Sequence, residues 1–159
     1  MRLMSFVVIE KDDHFLLVQE ASKKYKGLWY FPGGELQKSE SFEDAALRET
    51  REELQCEIYL QRIINIRITN RIFDQSMTIV YAGMVKEEPP PKKADKHSLE
   101  TRWFTYDETL KLEMREYGHE IIHAYRNSND FLPNIILNDH EKNFHSLILK
   151  NSEQNFMRD

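Results

Sequence analysis

Short apolar blocks separated by polar residues occupy the first part of the chain, and their lengths predict strands. Met4–Ile9 is an apolar run, the polar segment EKDDH follows it, and Phe15–Gln19 is a second run. Two such runs joined by a short polar turn are typical of a β-hairpin. Leu28–Phe31 is a shorter extended segment that ends at Pro32.

The middle of the chain continues the strand pattern before a helical pattern begins. Glu57–Thr69 and Met77–Val85 alternate or run apolar and contain many β-branched residues, which is typical of strands. Thr101–Tyr106 predicts another short strand. Glu108–Asn127 has apolar residues at helical spacing in its second half, where we expect a helix.

The polarity rises from Ser128 onward. An apolar island covers Phe131–Leu137, and the pattern indicates a short helix around Glu141–Lys150. We therefore assign residues 1–127 to one domain and residues 128–159 to a C-terminal extension. We expect the extension to pack on the domain or to form a contact in a homodimer.

The stretch GGELQKSESFEDAALRETREEL is rich in acidic residues and predicts a further helix. Ser41 is a suitable N-cap and Asp44 follows at the spacing that approximates a capping box, so we expect the helix to run to about Leu54. At about 100° per residue, Glu49, Glu52 and Glu53 would then share one face.

Clustered carboxylates at the end of a helix oppose helix formation. Side chains of like charge repel at spacings of three and four, and the negative end of the helix dipole disfavours Glu52 and Glu53. One interpretation is a solvated charged face, partly relieved by an Arg48–Glu52 pair. The other is a site for Mg²⁺, with Mn²⁺ as a substitute, because these cations prefer oxygen ligands.

Size, charge and cysteine content exclude several classes of protein. The 159 residues, 40% of them hydrophobic, fit one compact domain. A net charge of −5 argues against non-specific nucleic-acid binding. Cys56 is the single cysteine, so an internal disulfide is excluded and a cytoplasmic location is expected. No apolar stretch reaches the length of a membrane span, so no membrane contact is expected.

The spacing from Gly34 through Glu40 and Arg48 to Glu53 resembles the signature box of the Nudix hydrolases. The preceding WYFPGG, the segment LLVQE and the later RWF are also similar to that family, and the resemblance covers roughly residues 7–127. Two positions depart from the family pattern. Thr50 stands where an aliphatic residue is usual, and Gln55 stands where the family usually has glycine, which affects the loop after the helix.

The resemblance implies an α/β (α+β) protein with the Nudix fold, a mixed twisted β-sheet sandwiched between helices, with the acidic helix and the Glu108–Asn127 helix on opposite faces. It also implies roles for individual residues. The implied metal ligands are Glu49, Glu52, Glu53 and, in support, Glu40. In the implied catalytic roles, Glu49 could take a proton from water and Arg48 would hold a box carboxylate. Gly33 and Gly34 would bring the backbone close to the substrate.

Several residues outside the box are further candidates, each with a structural alternative. The base of this family often lies outside the box, and Glu100 is our candidate for it; it could equally be an exposed glutamate at a strand edge. Trp29 and Phe31 could stack on a nucleobase, or could pack in the core. His119-Glu120-Ile121-Ile122-His123 matches a short zinc-protease pattern, but a third ligand is not evident, and an ordinary surface helix is the alternative.

The resemblance implies a hydrolase of phosphoanhydrides that acts on a small nucleotide substrate. Features outside the box favour nucleoside di- and triphosphates, including oxidised purine nucleotides. ADP-ribose, dinucleoside polyphosphates, nucleotide sugars and capped RNA ends stay open. Two alternatives of other classes are a non-catalytic nucleotide-binding Nudix sensor, and a Nudix-fold isomerase acting on a prenyl diphosphate.

Overall fold

The computed structural model describes residues 1–71, 74–127 and 134–137, which form eight strands and three helices. The strands are β1 (Arg2–Lys11), β2 (His14–Glu20), β3 (Trp29–Tyr30), β4 (Gly33–Glu35), β5 (Ile58–Arg71), β6 (Asp74–Val85), β7 (Ser98–Thr105) and β8 (Asn134–Leu137). The helices are α1 (Phe42–Leu54), α2 (Tyr106–Thr109) and α3 (Gly118–Asn127).

The strands form one mixed sheet, as expected. Its main path runs β3-β2-β1-β6-β5-β8, while β4 pairs with β1 and β7 pairs with β2. The predicted hairpin is present, because Glu10 lies opposite Phe15 and Lys11 opposite His14. Strand β1 also runs parallel to β6, so β1 is the central strand on which the acidic helix and the glycine-rich segment are placed.

The alternation of side chains along β1 divides the core into two layers. Phe6 and Val8 pack in a cluster that also contains Ile122 of α3. Val7 packs in a second cluster that contains Leu54 of α1. Successive residues of a strand point to opposite faces, so α1 and α3 cover opposite faces of the sheet, as the Nudix resemblance implies.

Most predicted elements are confirmed, and the largest differences are at their ends. Tyr106, predicted as the end of a strand, instead begins α2. The reason is local: Thr105 and Glu108 form a capping box in which each side chain bonds to the other residue's backbone, and this arrangement starts a helix. Helix α3 begins at Gly118, consistent with helix only in the second half of Glu108–Asn127.

The described part of the C-terminal extension is a strand. Asn134–Leu137 pair in parallel with β5, within the predicted apolar island. The helix predicted around residues 141–150 lies outside the described residues, and a dimer contact stays a prediction. Among the described residues, no helix is long and apolar enough to cross a membrane.

Helix α1 begins and ends close to the predicted bounds, but its C-terminal cap is strained. Ser41 accepts a hydrogen bond from the backbone N–H of Asp44, as an N-cap should. At the other end Gln55 is left-handed, with φ 57° and ψ 30°, and its N–H donates to the Arg51 carbonyl. This is the conformation that glycine adopts without the steric penalty of a Cβ atom.

We therefore expect Gln55→Gly to stabilise the protein by about 0.5 to 1 kcal/mol, since it relieves the left-handed strain but makes the unfolded chain more flexible. Urea unfolding of the variant and the wild type measures this difference. Gln55→Ala is the matched control, because alanine keeps the Cβ atom and should give no gain. Equal stabilities of the two variants would contradict the prediction.

Candidate active site

The glycine-rich strand β4 is attached to α1 through a buried carboxylate. The Gly33 N–H donates to Oε2 of Glu53 over 2.9 Å, and the Glu53 side chain is buried. Gly33 has a φ of 144° and lies opposite Phe6 of β1. Burial raises the pKa of Glu53 well above its usual range, although the Gly33 hydrogen bond opposes this shift. Positive charge near Glu53 would therefore favour its ionised form.

The next glycine provides space for a second carboxylate. A Cβ atom on Gly34 would lie 2.6 Å from the carboxyl carbon of Glu49, so a side chain at this position would displace the Glu49 carboxylate from where it lies. Burial also raises the pKa of Glu49, against the effect of the neighbouring Arg48. The backbone at Gly34 is thus in direct contact with a partly desolvated carboxylate of α1.

Arg48 connects the other carboxylates of the acidic segment. Its Nε and Nη2 atoms donate to the two carboxylate oxygens of Glu40 over 2.8 and 2.9 Å. Its Nη1 lies 2.7 Å from Oε1 of Glu49 and 3.6 Å from Oε2 of Glu52. The pairing with Arg48 lowers the pKa of Glu40. Arg48 therefore holds Glu40 and Glu49 in fixed positions beside Glu52.

These residues fit a hard divalent cation by their chemistry. Glu49, Glu52 and Glu53 supply only oxygen donors, which suit Mg²⁺ and Mn²⁺, and the buried Glu53 and the half-buried Glu49 would gain from a nearby positive charge. Among the described residues, however, no three acidic, histidine or cysteine side chains already form a metal cage. Glu49 and Glu52 instead share the guanidinium of Arg48.

The candidates outside the box, Glu100, Trp29 and Phe31, have partners or packing of their own. Glu100 accepts hydrogen bonds from Nε and Nη2 of Arg102 over 2.9 and 2.6 Å. Trp29 is 7% exposed and packs edge-on against Phe104, and Phe31 is 2% exposed. Burial favours core packing over base stacking for both aromatic residues. A catalytic role of Glu100 and substrate binding by Trp29 and Phe31 stay predictions.

The side chains of the zinc-protease pattern on α3 contact other groups of the protein. Nε2 of His119 donates to the carbonyl of Thr109 over 3.0 Å, and Glu120 pairs with Arg67 over 2.7 Å. Nδ1 of His123 lies 3.2 Å from the Tyr106 hydroxyl. The geometry therefore favours the interpretation of an ordinary helix.

Two groups near the carboxylates were not predicted from the sequence. Lys92 and His97 belong to the loop between β6 and β7, and both contact Glu52: Lys92 Nζ lies 3.1 Å from its carbonyl oxygen, and His97 Nδ1 lies 3.4 Å from its Oε2. The C-terminal end of a helix attracts cations, so the sequence does indicate that a basic residue could lie there. It does not indicate which one, because several lysines of this loop would serve equally.

A polar cavity of about 60 Å³ lies on the α3 side of the sheet. Residues that line it include Met4, Phe6, Asn65, Arg67, Arg115 and Tyr117. The cavity is next to the glycine-rich strand, because Met4 and Phe6 pair with Glu35 and Gly33 of β4. Oδ1 of Asn65 is buried without a hydrogen-bond partner among the described residues.

Comparisons with known proteins agree with this architecture. The family model described as "NUDIX domain" matches residues 1–125. The chain is similar to the human 8-oxo-dGDP phosphatase NUDT18, with 29% identity over 119 residues that cover 74% of this chain and 35% of the relative. The chain thus spans about a third of the length of the curated relatives it matches first.

Solved structures show the same fold. A NUDIX hydrolase from Nitrosomonas europaea superposes with a TM-score of 0.73 at 24% identity, covering 82% of this chain and 91% of the other. An ADP-ribose pyrophosphatase from Streptococcus suis superposes with a TM-score of 0.63 at 19% identity, covering 84% and 98%. With the family match over residues 1–125, these findings show that the chain belongs to the NUDIX domain family, whose members hydrolyse phosphoanhydrides.

Proposed function

We propose that this protein is a divalent-metal-dependent pyrophosphohydrolase that cleaves nucleoside di- or triphosphates, including oxidised purine nucleotides. The observation that carries the proposal is the contact between β4 and α1. There the backbone of Gly33 and Gly34 meets the buried carboxylate of Glu53 and the half-buried carboxylate of Glu49. A ligand bound through a cation at these carboxylates would lie directly against a glycine backbone, which permits close approach.

The carboxylates of α1 would hold the cation that proteins of this family generally use. Glu52 and Glu53 are the proposed principal ligands, with Glu49 as a ligand or as the base and Glu40 in support. A Mg²⁺ ion held there would supply positive charge to a phosphate leaving group and so would favour attack by water.

The protein's own groups would position the reactants. Glu49 has a raised pKa, which brings it closer to the range in which a carboxylate can take a proton from water at neutral pH. Arg48 keeps Glu49 in place through the 2.7 Å contact with its Oε1. Glu100 is the alternative base, provided that it leaves Arg102.

The polar cavity supports a nucleotide as the substrate. Its position beside β4 would let a diphosphate lie at the carboxylates while an edge of the attached group enters the cavity. Oδ1 of Asn65, which has no hydrogen-bond partner among the described residues, would accept a hydrogen bond from an N–H group, which nucleobases carry. The relative named as an 8-oxo-dGDP phosphatase points to the same class.

The direct test is to incubate the purified protein and Mg²⁺ with nucleoside di- and triphosphates, oxidised purine nucleotides, ADP-ribose and dinucleoside polyphosphates, and to separate the products by chromatography. Metal-dependent cleavage of a nucleoside di- or triphosphate is expected. Preferred cleavage of ADP-ribose or a dinucleoside polyphosphate would overturn the proposed substrate. No cleavage, with a ligand that still raises the Tm, would favour a nucleotide sensor.

We expect Asn65→Leu to raise the KM for the nucleotide about tenfold while kcat changes less than about threefold, because the ligand loses a hydrogen bond in a buried site. The Tm should not fall, since leucine removes a buried oxygen that lacks a partner in the described part of the chain. Steady-state kinetics and thermal unfolding measure both effects. Asn70→Leu, exposed on the same strand, is the control and should leave KM unchanged. An unchanged KM in Asn65→Leu would remove Asn65 from substrate recognition.

A further inference from the structure

The side chain of Lys92 is almost completely buried at the C-terminal end of the acidic helix. It is 1% exposed, which is rare for lysine unless the ammonium group is paired. Nζ donates to the backbone carbonyl of Glu52 over 3.1 Å and to Oδ2 of Asp95 over 2.7 Å. The ammonium group therefore satisfies one of the carbonyls that a helix leaves without an internal partner at its end.

The loop that carries Lys92 is itself held in place. Oδ1 of Asp95 accepts hydrogen bonds from the backbone N–H groups of His97 and Ser98 over 2.8 and 3.0 Å. At the start of the loop, Glu88 accepts from Nζ of Lys11 over 2.9 Å and from Nε1 of Trp103 over 2.7 Å. Three consecutive prolines follow Glu88 and restrict the backbone. Lys92 is thus presented to α1 by a fixed loop.

Lys92 contacts Glu52, whose side chain is a proposed metal ligand. Lys92 holds the backbone of Glu52, while Nδ1 of His97 lies 3.4 Å from the Oε2 atom of the Glu52 side chain. Glu53 is the next residue, and its carboxylate is fixed from the other side by the Gly33 N–H. The last turn of α1 is therefore clamped between β4 and the loop.

We propose that Lys92 is a positioning residue of the metal site: by holding the Glu52 backbone, it orients Glu52 and Glu53 toward a divalent cation. The inference rests on the proposed function for the identity of the site. Lys92 does not compete strongly with the cation through its charge, because its ammonium group is paired with Asp95 at 2.7 Å. The hydrogen bond from Nζ to the Glu52 carbonyl therefore has the larger effect on the proposed metal site.

The test is a Mn²⁺ titration of the protein without substrate, with free Mn²⁺ followed by electron paramagnetic resonance. Lys92→Met should weaken Mn²⁺ binding about five- to tenfold, while Lys92→Arg, which keeps a donor, should stay within about threefold of the wild type. Lys93→Met is the matched control, since it removes the same charge from an exposed position on the same loop. It should leave Mn²⁺ affinity unchanged.

A second variant keeps the inference testable if Lys92→Met does not fold. Asp95→Asn keeps the lysine but weakens its fixation, so it should weaken Mn²⁺ binding in the same direction and by less. Circular dichroism of each variant checks that it is folded. Unchanged or tighter Mn²⁺ binding in folded Lys92→Met, or equal weakening by Lys93→Met, would overturn the inference.

The hydrolase proposal and the positioning inference fail in different ways. In the panel assay, Lys92→Met should raise the Mg²⁺ concentration that gives half-maximal rate, with kcat at saturating Mg²⁺ within about threefold of the wild type. If the wild type hydrolyses none of the compounds but Lys92→Met binds Mn²⁺ more weakly than the wild type, the hydrolase proposal is overturned and the positioning role is supported. A wild type that binds no Mn²⁺ would overturn the positioning role.

Discussion

Glu52→Gln is expected to lower metal-dependent hydrolysis at least about 100-fold, because it removes a charged oxygen ligand while keeping the size of the side chain. The same change should leave the Tm equal or slightly higher. Glu52 lies in the last turn of α1, where the helix dipole disfavours a negative charge, and its removal also reduces repulsion between the clustered carboxylates. A rate that falls while stability holds would separate a functional carboxylate from a structural one.

The measurement is the initial rate of product formation over a range of Mg²⁺ concentrations, together with thermal unfolding of each protein. Glu43→Gln is the matched control, since Glu43 is an exposed residue in the first turn of the same helix and should not affect the rate. A Glu52→Gln variant that retains the wild-type rate would show that the acidic face of α1 is a solvated surface and that the reaction centre is elsewhere.

Local signals in the sequence are sufficient for much of the fold. The hairpin follows from two apolar runs and a polar turn, and α1 follows from Ser41, Asp44 and helical spacing. Both depend on residues close together in the chain. The Nudix resemblance adds the long-range arrangement, with α1 and α3 on opposite faces of the sheet, which periodicity alone does not specify.

The surroundings of the site could not be predicted in the same way. Lys92 reaches Glu52 across 40 residues of sequence, and any of the lysines in its loop would satisfy the electrostatic need at the helix end. Asn65 lies on a strand whose pairing with β6 is irregular beside it, so the face it occupies does not follow from strict alternation. Contacts of this kind depend on loop paths and bulges, which composition and spacing leave open.

The roles of some residues are ambiguous because the same sequence pattern is typical of both a binding surface and a buried core. Trp29 and Phe31 precede the glycine-rich strand, a position that suits either a binding surface or the core, and both side chains are buried. Gln55 stands where the family usually has glycine, so the sequence leaves the conformation of the loop after α1 open. In the structure Gln55 still adopts the left-handed conformation that glycine favours, because its N–H bonds to the helix.

Gly33→Ala is expected to destabilise the protein by at least about 3 kcal/mol, which corresponds to a fall in Tm of roughly 6 °C or more for a chain of this size. A Cβ atom at this position would lie 2.2 Å from the Ser5 carbonyl oxygen and 2.6 Å from the Cα of Phe6. Both are backbone atoms of the central strand β1, so relief requires β4 to separate from β1. The φ of 144° adds strain for any residue with a side chain.

Gly27→Ala is the matched control for the backbone strain alone. Gly27 also has a positive φ, 88°, but no described residue lies within 4 Å of the position that its Cβ atom would take, so we expect a loss of only about 1 kcal/mol. Thermal and urea unfolding of both variants measure the difference. Equal losses would mean that β4 moves freely against β1. A much larger loss in Gly33→Ala would mean that the strand which carries the Glu53 contact is rigidly fixed, as a preorganised phosphate site requires.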